Sequence, residues 1–226
     1  MASSFHFRSL VVPFDFSPTA HNALFQAIHI GRKTKLPVEL WIVTNKYAQE
    51  QLAQEGKSGS FKEQSEAEVA SLHHQINQDG PVELSAHWLE GKTTKSIQQK
   101  LKENPDVLVF LGVHGERKQD VIFHGNQSNK LSLCWKAAVL AIPPGMEGRF
   151  QRMLLTIDAE NMHSREKIPY ALLLAQFTDA EVVLLGLERR KNKEDKARLR
   201  GILHQAAQFF GKKGIAYRQE ILDGKN

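Results

Sequence analysis

The spacing of apolar residues changes period several times along the chain, and each change marks a predicted element. LVVPFD, residues 10–15, is an apolar burst closed by Pro and Asp, as expected of a strand buried on both faces. SPTAHNALFQAIHIGRKTK follows: Ser17 is placed to cap, Pro18 falls at the first helical position, and Ala23, Leu24, Ala27, Ile28 and Ile30 recur on one helical face. VELWIVT (38–44) predicts a second strand. Residues 48–79 are polar, with a GKSGS break at 56–60, read as a flexible loop, and then a helical pattern through Val69, Leu72 and Ile76. VELSAHWLE (82–90) predicts a strand, TTKSIQQKLKEN (93–104) a helix and DVLVFLG (106–112) another short strand. A glycine-bearing loop comes next, then a possible helix over 126–136. AVLAIPPG (138–145) is a last strand stopped by two prolines. Five strands alternating with four helices predict an α/β fold: an open, mostly parallel five-stranded sheet with helices on both faces.

After GMEGRF the order begins again. RMLLTID (152–158) parallels SLVVPFD, with Asp158 in the place of Asp15. A helix rich in Ala and Leu follows, and then AEVVLLGL (180–187) parallels VELWIVT. KKGIAYRQEILDGKN parallels QDGPVELSAHWLEGK. The expected organisation is a complete domain over 1–145 and a partial second copy over 150–226. By analogy with the first, the second copy is short by about 50 residues, its glycine loop and last strand among them.

Charge and composition change this picture little. The net charge of +5 raises the question of nucleic acid, but sixteen Lys and Arg face fifteen Asp and Glu up to Arg149, and fourteen face ten beyond it. The densest run, RRKNKEDKARLR (189–200), interleaves Glu194 and Asp195 and reads as a solvated helix face, with nucleic-acid binding as its rival. The start, MASSFHFRSLVVPF, has too short an apolar stretch for a signal peptide, so a cytoplasmic location is expected. Cys134 is the single cysteine, which excludes an intrachain disulfide. It lies between Leu133 and Trp135 in an apolar helix pattern and reads as a buried structural thiol.

Candidate chemistry concentrates in GVHGERKQDVIFHGN (112–126). Gly112 ends a strand, and in open parallel sheets ligands bind beyond the carboxyl ends of strands where strand order reverses. Glycines there permit close backbone approach, so that amide N–H groups converge on phosphate oxygens. Gly125 and Asn126 fall where the next helix starts, with its unpaired N–H groups and partial positive charge. Taken alone, such glycines also read as ordinary turns.

Two residues separate Gly112 from Gly115 and nine separate Gly115 from Gly125, and VPFDFSPTAHNAL lies on the first strand and helix. In these features residues 6–145 resemble the universal stress protein family, with a weaker partial likeness over 150–226. The resemblance implies a Rossmann-like fold of the adenine nucleotide α hydrolase kind, and a stress-response regulatory protein that binds ATP or a related adenine nucleotide, with Mg2+ accompanying it. It implies that Asp15 contacts the nucleotide's adenosine end, that Val43 touches the adenine, and that Gly112, Gly115, Gly125 and Asn126 hold phosphates through backbone amides. Pro13, His114, Gln127 and Ser128 complete the implied set. One position departs from the family: where its ATP binders carry Ser or Thr, Asn126 stands. It can cap a helix but not reproduce a hydroxyl's geometry, a gap Ser128 is placed to fill. Arg117, Lys118 and His124 suit a phosphate tail, or a solvated loop. The family's last strands pair across a two-fold axis, so a homodimer through 138–144 is expected, with no membrane partner.

Other motifs fail on spacing. EGKTT (90–94) sits between a strand and a helix as a P-loop would, but Ala86 stands where the first P-loop glycine belongs, and EGKSG has Gln51 there. The ten histidines show no paired ligand spacing, and no Gly-x-Ser-x-Gly marks a nucleophile. No catalytic residue and no metal site are expected, and any ATP hydrolysis should be slow and incidental. The rivals are a dimeric interaction module that binds no nucleotide, an ATP-using hydrolase or transferase, and a nucleic-acid binder through the basic run.

Overall fold

A computed structural model describes residues 7–44, 60–113, 137–145, 150–158, 166–188 and 193–223. The chain divides into two compact units, Met1–Glu147 and Gly148–Asn226.

The first unit contains β1 (Ser9–Pro13), α1 (Pro18–Thr34), β2 (Val38–Thr44), α2 (Phe61–Gln78), β3 (Leu84–Glu90), α3 (Thr93–Glu103), β4 (Val107–Gly112) and β5 (Ala138–Ile142). The strands form one parallel sheet in the order β3-β2-β1-β4-β5. All residues of β1 and β4 are buried, which explains why they read as unbroken apolar runs: a central parallel strand is covered on both faces. Alternation then sorts the side chains. Val11, Trp41, Val43, Val109 and Leu111 pack with Ile97 and Leu101 of α3. Leu10, Val12, Leu40, Ile42 and Phe110 point to the opposite face, where α1 buries Ala23, Leu24, Ala27 and Ile30.

The caps follow the sequence. The Ser17 hydroxyl accepts from the Ala20 N–H at 3.2 Å with Pro18 in the first turn, and Lys35 ends α1 in the left-handed region, its N–H reaching the Gly31 carbonyl at 2.8 Å. Ser60 and Glu63 form a reciprocal capping box at the start of α2. α2 is tied to the sheet where the Trp88 indole N–H donates to Ser65 Oγ at 2.8 Å, and to α1 where Arg32 donates to the Gly80 and Ile76 carbonyls. On the α3 face, Trp41 is fully buried and donates to Glu39 at 3.0 Å, with the Lys100 ammonium 6.0 Å from its ring centre. Three boundaries differ from the sequence reading. β1 stops at Pro13 because Phe16 turns into the left-handed region at φ 63°. β3 starts at Leu84, after Val82 has given its N–H to the Asn77 side chain instead of a neighbouring strand. β5 ends at Ile142, before the two prolines. The loop expected at 56–60 lies outside the described residues except for Ser60, and the helix expected over 126–136 lies wholly outside them.

The second unit contains β6 (Arg152–Asp158), α4 (Lys167–Thr178), β7 (Glu181–Glu188), α5 (Lys193–Lys212) and β8 (Tyr217–Asp223), with a parallel sheet in the order β6-β7-β8. Order and register match β1-β2-β3: Leu10 lies beside Val38 and Val38 beside Leu84, while Met153 lies beside Val182 and Val182 beside Tyr217. Leu155, Ile157, Val182 and Leu184 pack with Ala171 and Ala175 of α4 and with Leu199, Ile202, Leu203, Ala206 and Phe210 of α5, so both helices cover one face. On the other face Leu154 and Leu222 are 63% and 52% exposed. The described part of the basic run opens α5, where Arg198 and Arg200 are exposed and Lys196 pairs with Glu188 at 2.7 Å. Among the described residues no helix is long and apolar enough to cross a membrane.

Ser65→Ala should leave the Trp88 indole N–H without its protein acceptor and lower stability by about 1 kcal/mol, read as a lower urea midpoint with an unchanged slope.

Candidate nucleotide site

Strand order reverses between β1 and β4. The chain leaves β1 through α1 on one face and arrives at β4 through α3 on the other, which opens a crevice beyond the carboxyl ends of these two strands. Pro13 closes β1, buried beside Trp41, and the Phe14 N–H still reaches the Trp41 carbonyl at 3.0 Å. Asp15 then sits half-buried at the mouth, one carboxylate oxygen accepting the Ser17 N–H at 3.1 Å in a tight Asx turn. The turn aims the chain into α1, whose first N–H groups face the same crevice.

β4 ends at Gly112, and the space around it is set by α1. A Cβ at this position would lie 2.3 Å from the Thr19 carbonyl oxygen and 2.5 Å from its carbon. Only glycine lets the first turn of α1 lie this close to the end of the strand. The residue is therefore required by helix–strand packing, whatever the loop beyond it does. Val43 closes the third side. Its side chain is only 6% exposed and belongs to the apolar cluster under α3, so little of it faces outward. Its main chain is better placed: Trp41 offers its carbonyl toward β1 and Thr44 offers its own to Gly91, so alternation turns the Val43 N–H and C=O toward β1.

An aromatic group that sequence reading did not single out lines this end of the unit. Phe14 meets Phe16 edge-on at 4.9 Å and His21 at 5.0 Å, and Phe16 meets Phe61 of α2 at 6.2 Å. Phe16 holds a left-handed backbone, a strain of about 1 kcal/mol or more for a residue with a Cβ. The FDF triplet carried a local signal, but Phe61 is brought in from 45 positions away and carried none. Beside α1, Pro18, Thr19, His21, Asn22, Phe25, Pro144 and Gly145 line an open depression of about 560 Å3, held by the Asn22 side chain donating to the Pro143 carbonyl at 2.9 Å. Gly91, in the rejected P-loop match, is a turn residue at φ 108°.

The structure thus brings Pro13, Asp15, Val43 and Gly112 to one end of the sheet. His114, Gly115, Gly125, Asn126, Gln127 and Ser128, with Arg117, Lys118, His124 and Cys134, lie outside the described residues. Asp158 ends β6 as Asp15 follows β1, and is 8% exposed. No group of three or more His, Cys, Asp or Glu is placed to hold a metal ion among the described residues.

The Universal stress protein family matches residues 6–143, well over half of the chain. The chain belongs to the universal stress protein family. A universal stress protein from Archaeoglobus fulgidus DSM 4304 superposes with a TM-score of 0.69 at 16% identity, covering 98% of this chain and 80% of that one. A protein of Pseudomonas aeruginosa UCBPP-PA14 described under the same family name gives 0.61 at 15% identity, with 95% and 74% covered. The cytoplasmic domain of a prokaryotic cation chloride cotransporter also gives 0.61, at 12% identity, with 97% and 80% covered. At these identities the likeness is one of fold. No curated protein matches the chain by sequence.

Gly112→Ala should cost about 1–3 kcal/mol or more, because backbone rather than a mobile side chain must give way; equilibrium unfolding should show a lower midpoint even without any ligand.

Proposed function

We propose that this protein is a regulatory nucleotide binder that takes ATP or a related adenine nucleotide, with Mg2+, over the carboxyl ends of β1 and β4. The observation that carries the reading is the position of Asp15: half-buried at the strand-order reversal, beside the N-terminus of α1 and beyond the end of β2. A carboxylate there accepts hydrogen bonds from ribose hydroxyls. The Val43 main chain reads the adenine edge, in preference to its buried side chain. Backbone amides of Gly112, Gly115, Gly125 and Asn126 take the phosphates, with Gln127 and Ser128 following and His114, Arg117, Lys118 and His124 offering donors to the tail. Bound Mg2+ would neutralise phosphate charge; the chain's own task is to bind and orient, and no base is assigned to hydrolysis.

A second reading, a dimeric interaction module without nucleotide, draws on two observations. Ser17 already caps α1, and the packing against Thr19 accounts for Gly112 without a phosphate. In both readings the second unit is a further copy of the family domain's first three strands, with β6, β7 and β8 as counterparts of β1, β2 and β3. In both, the β5 edge (138–144) pairs with a second chain.

Mass analysis of co-purifying small molecules, followed by ATP titration, separates the readings. Adenine nucleotide should be recovered, and ATP at a hundred times its dissociation constant should add about 2.7 kcal/mol to stability. Asp15→Ala and Gly115→Val should each weaken binding about tenfold or more, equal to about 1.4 kcal/mol, with the fold retained. No response of the wild type to millimolar ATP would leave the interaction module as the function.

A further inference from the structure

Among the described residues, α2 is attached to the first unit by little more than its two ends and one hydrogen bond between them. Of its eighteen residues only Ser65 is buried; Val69, Leu72 and Ile76 share a face with it but stay half-buried. The helix at the same place in the chain order of the second unit, α5, buries Leu199, Ile202, Leu203, Ala206, Ala207 and Phe210. One strand position goes with this difference. Gly186 of β7 admits α5 so closely that a Cβ there would lie 2.8 Å from Leu203 Cδ1 and 3.2 Å from Leu199 Cδ2. The matching position of β2 is Ile42, beside Trp88 as Gly186 lies beside Ile221, and two bulky side chains leave no room for such an approach. α2 reaches the sheet instead at Trp88 of β3, whose indole N–H meets Ser65 Oγ at 2.8 Å. Its C-terminal end is held by Arg32, which donates to the Ile76 and Gly80 carbonyls, and its N-terminal end by Phe61, whose ring meets Phe16 at 6.2 Å. Hydrogen bonds of this kind trade readily for water, and a shallow apolar face contributes little to holding a helix down.

We propose that α2 is a latch: it leaves the sheet and returns as a unit while α1 and the strands stay folded, and its docked state holds the mouth of the candidate site in shape. The link to the site is Phe16. Its backbone lies in the left-handed region at φ 63°, a conformation that a residue with a Cβ keeps only where its neighbours impose it. Those neighbours are Phe14, buried and 4.9 Å away, and Phe61, which comes and goes with α2. Asp15 precedes Phe16 and Ser17 follows it, so the turn in which the Asp15 carboxylate accepts the Ser17 N–H at 3.1 Å runs through the strained residue. With α2 docked, Phe16 is held by both rings and the carboxylate keeps its aim. With α2 released, one ring is gone and the turn relaxes. As a means of regulation the latch rests on the nucleotide reading above: by linkage, a ligand that needs Asp15 in place favours docking, and a partner that holds α2 in its released state lowers the affinity for that ligand. The opening itself needs no ligand.

The test is amide hydrogen exchange of the full chain, resolved by residue, for wild type and Phe61→Ala without nucleotide and then for wild type with millimolar ATP and Mg2+. In the wild type, amides in the middle of α2 (66–76) should exchange at least about thirtyfold faster than those in the middle of α1 (24–32), with a weaker dependence on dilute urea, as opening without global unfolding requires. Phe61→Ala should speed the exchange of α2 and of the Ser17 N–H together, each at least about threefold. ATP should slow exchange in α2 about tenfold or more. Amides of α2 as slow as those of α1, or a Ser17 N–H that ignores Phe61→Ala, overturn the proposal. ATP that protects the Asp15 turn and leaves α2 unchanged overturns the latch as a regulator, whereas a wild type in which no amide responds to ATP ends the nucleotide reading and leaves the ligand-free rates to decide the latch.

Discussion

The approach of α1 to the end of β4 is the contact on which the rest of the first unit depends. With the Thr19 carbonyl where a Cβ of residue 112 would have to be, the helix that follows β1 is held against the strand on its far side, not only the one it leads to. That contact fixes β1 between β2 and β4 and sets the depth of the crevice above them. It also aims the start of α1 at the place where ligands enter sheets of this topology. Asp15 and the capping hydroxyl of Ser17 are positioned as a consequence, each held by a short-range bond to backbone that the helix has already placed.

Around this centre the molecule uses ordinary means. Continuous apolar strands are covered on both faces, helices start on side-chain caps, and buried polar groups such as the Trp41 and Trp88 indoles find partners within the protein. The second unit has the same local grammar but a different exposure. Its two helices lie on one face of a three-stranded sheet, and on the other face Leu154 of β6 is open to solvent, whereas its counterpart Val11 is buried. In the first unit the corresponding strand is central and ends in proline. The contrast shows how one strand sequence pattern serves either as core or as surface, depending on what lies beside it.

Membership of the universal stress protein family sets the framework for function but not its details. Gly112 illustrates the difference. By spacing it is the first of three glycines fit for a phosphate loop, and by geometry it is already required for packing, so its presence supports the fold more directly than it supports a ligand. Asp15 is different: it is a half-buried carboxylate at the mouth of a crevice, and its Asx turn occupies one oxygen.

The sequence by itself determined the elements. Periods of two and 3.6, Ser17 with Pro18, and the two prolines after Ile142 act within a few residues of one another, so strand, helix and stop were readable from local pattern, as was the parallel between LVVPFD and MLLTID. Of the candidate site, Gly112 could be named because it falls at a strand end, while Pro13, Asp15 and Val43 were named through the likeness to the family. Tertiary structure alone decided the rest, because those features join residues far apart in the chain. Thr19 meets Gly112, Phe61 meets Phe16, and Val43 is drawn into the core with only its backbone left facing β1. Whether a strand has one neighbour or two is equally invisible in its own residues, since main-chain hydrogen bonding is the same for every sequence except where proline interrupts it.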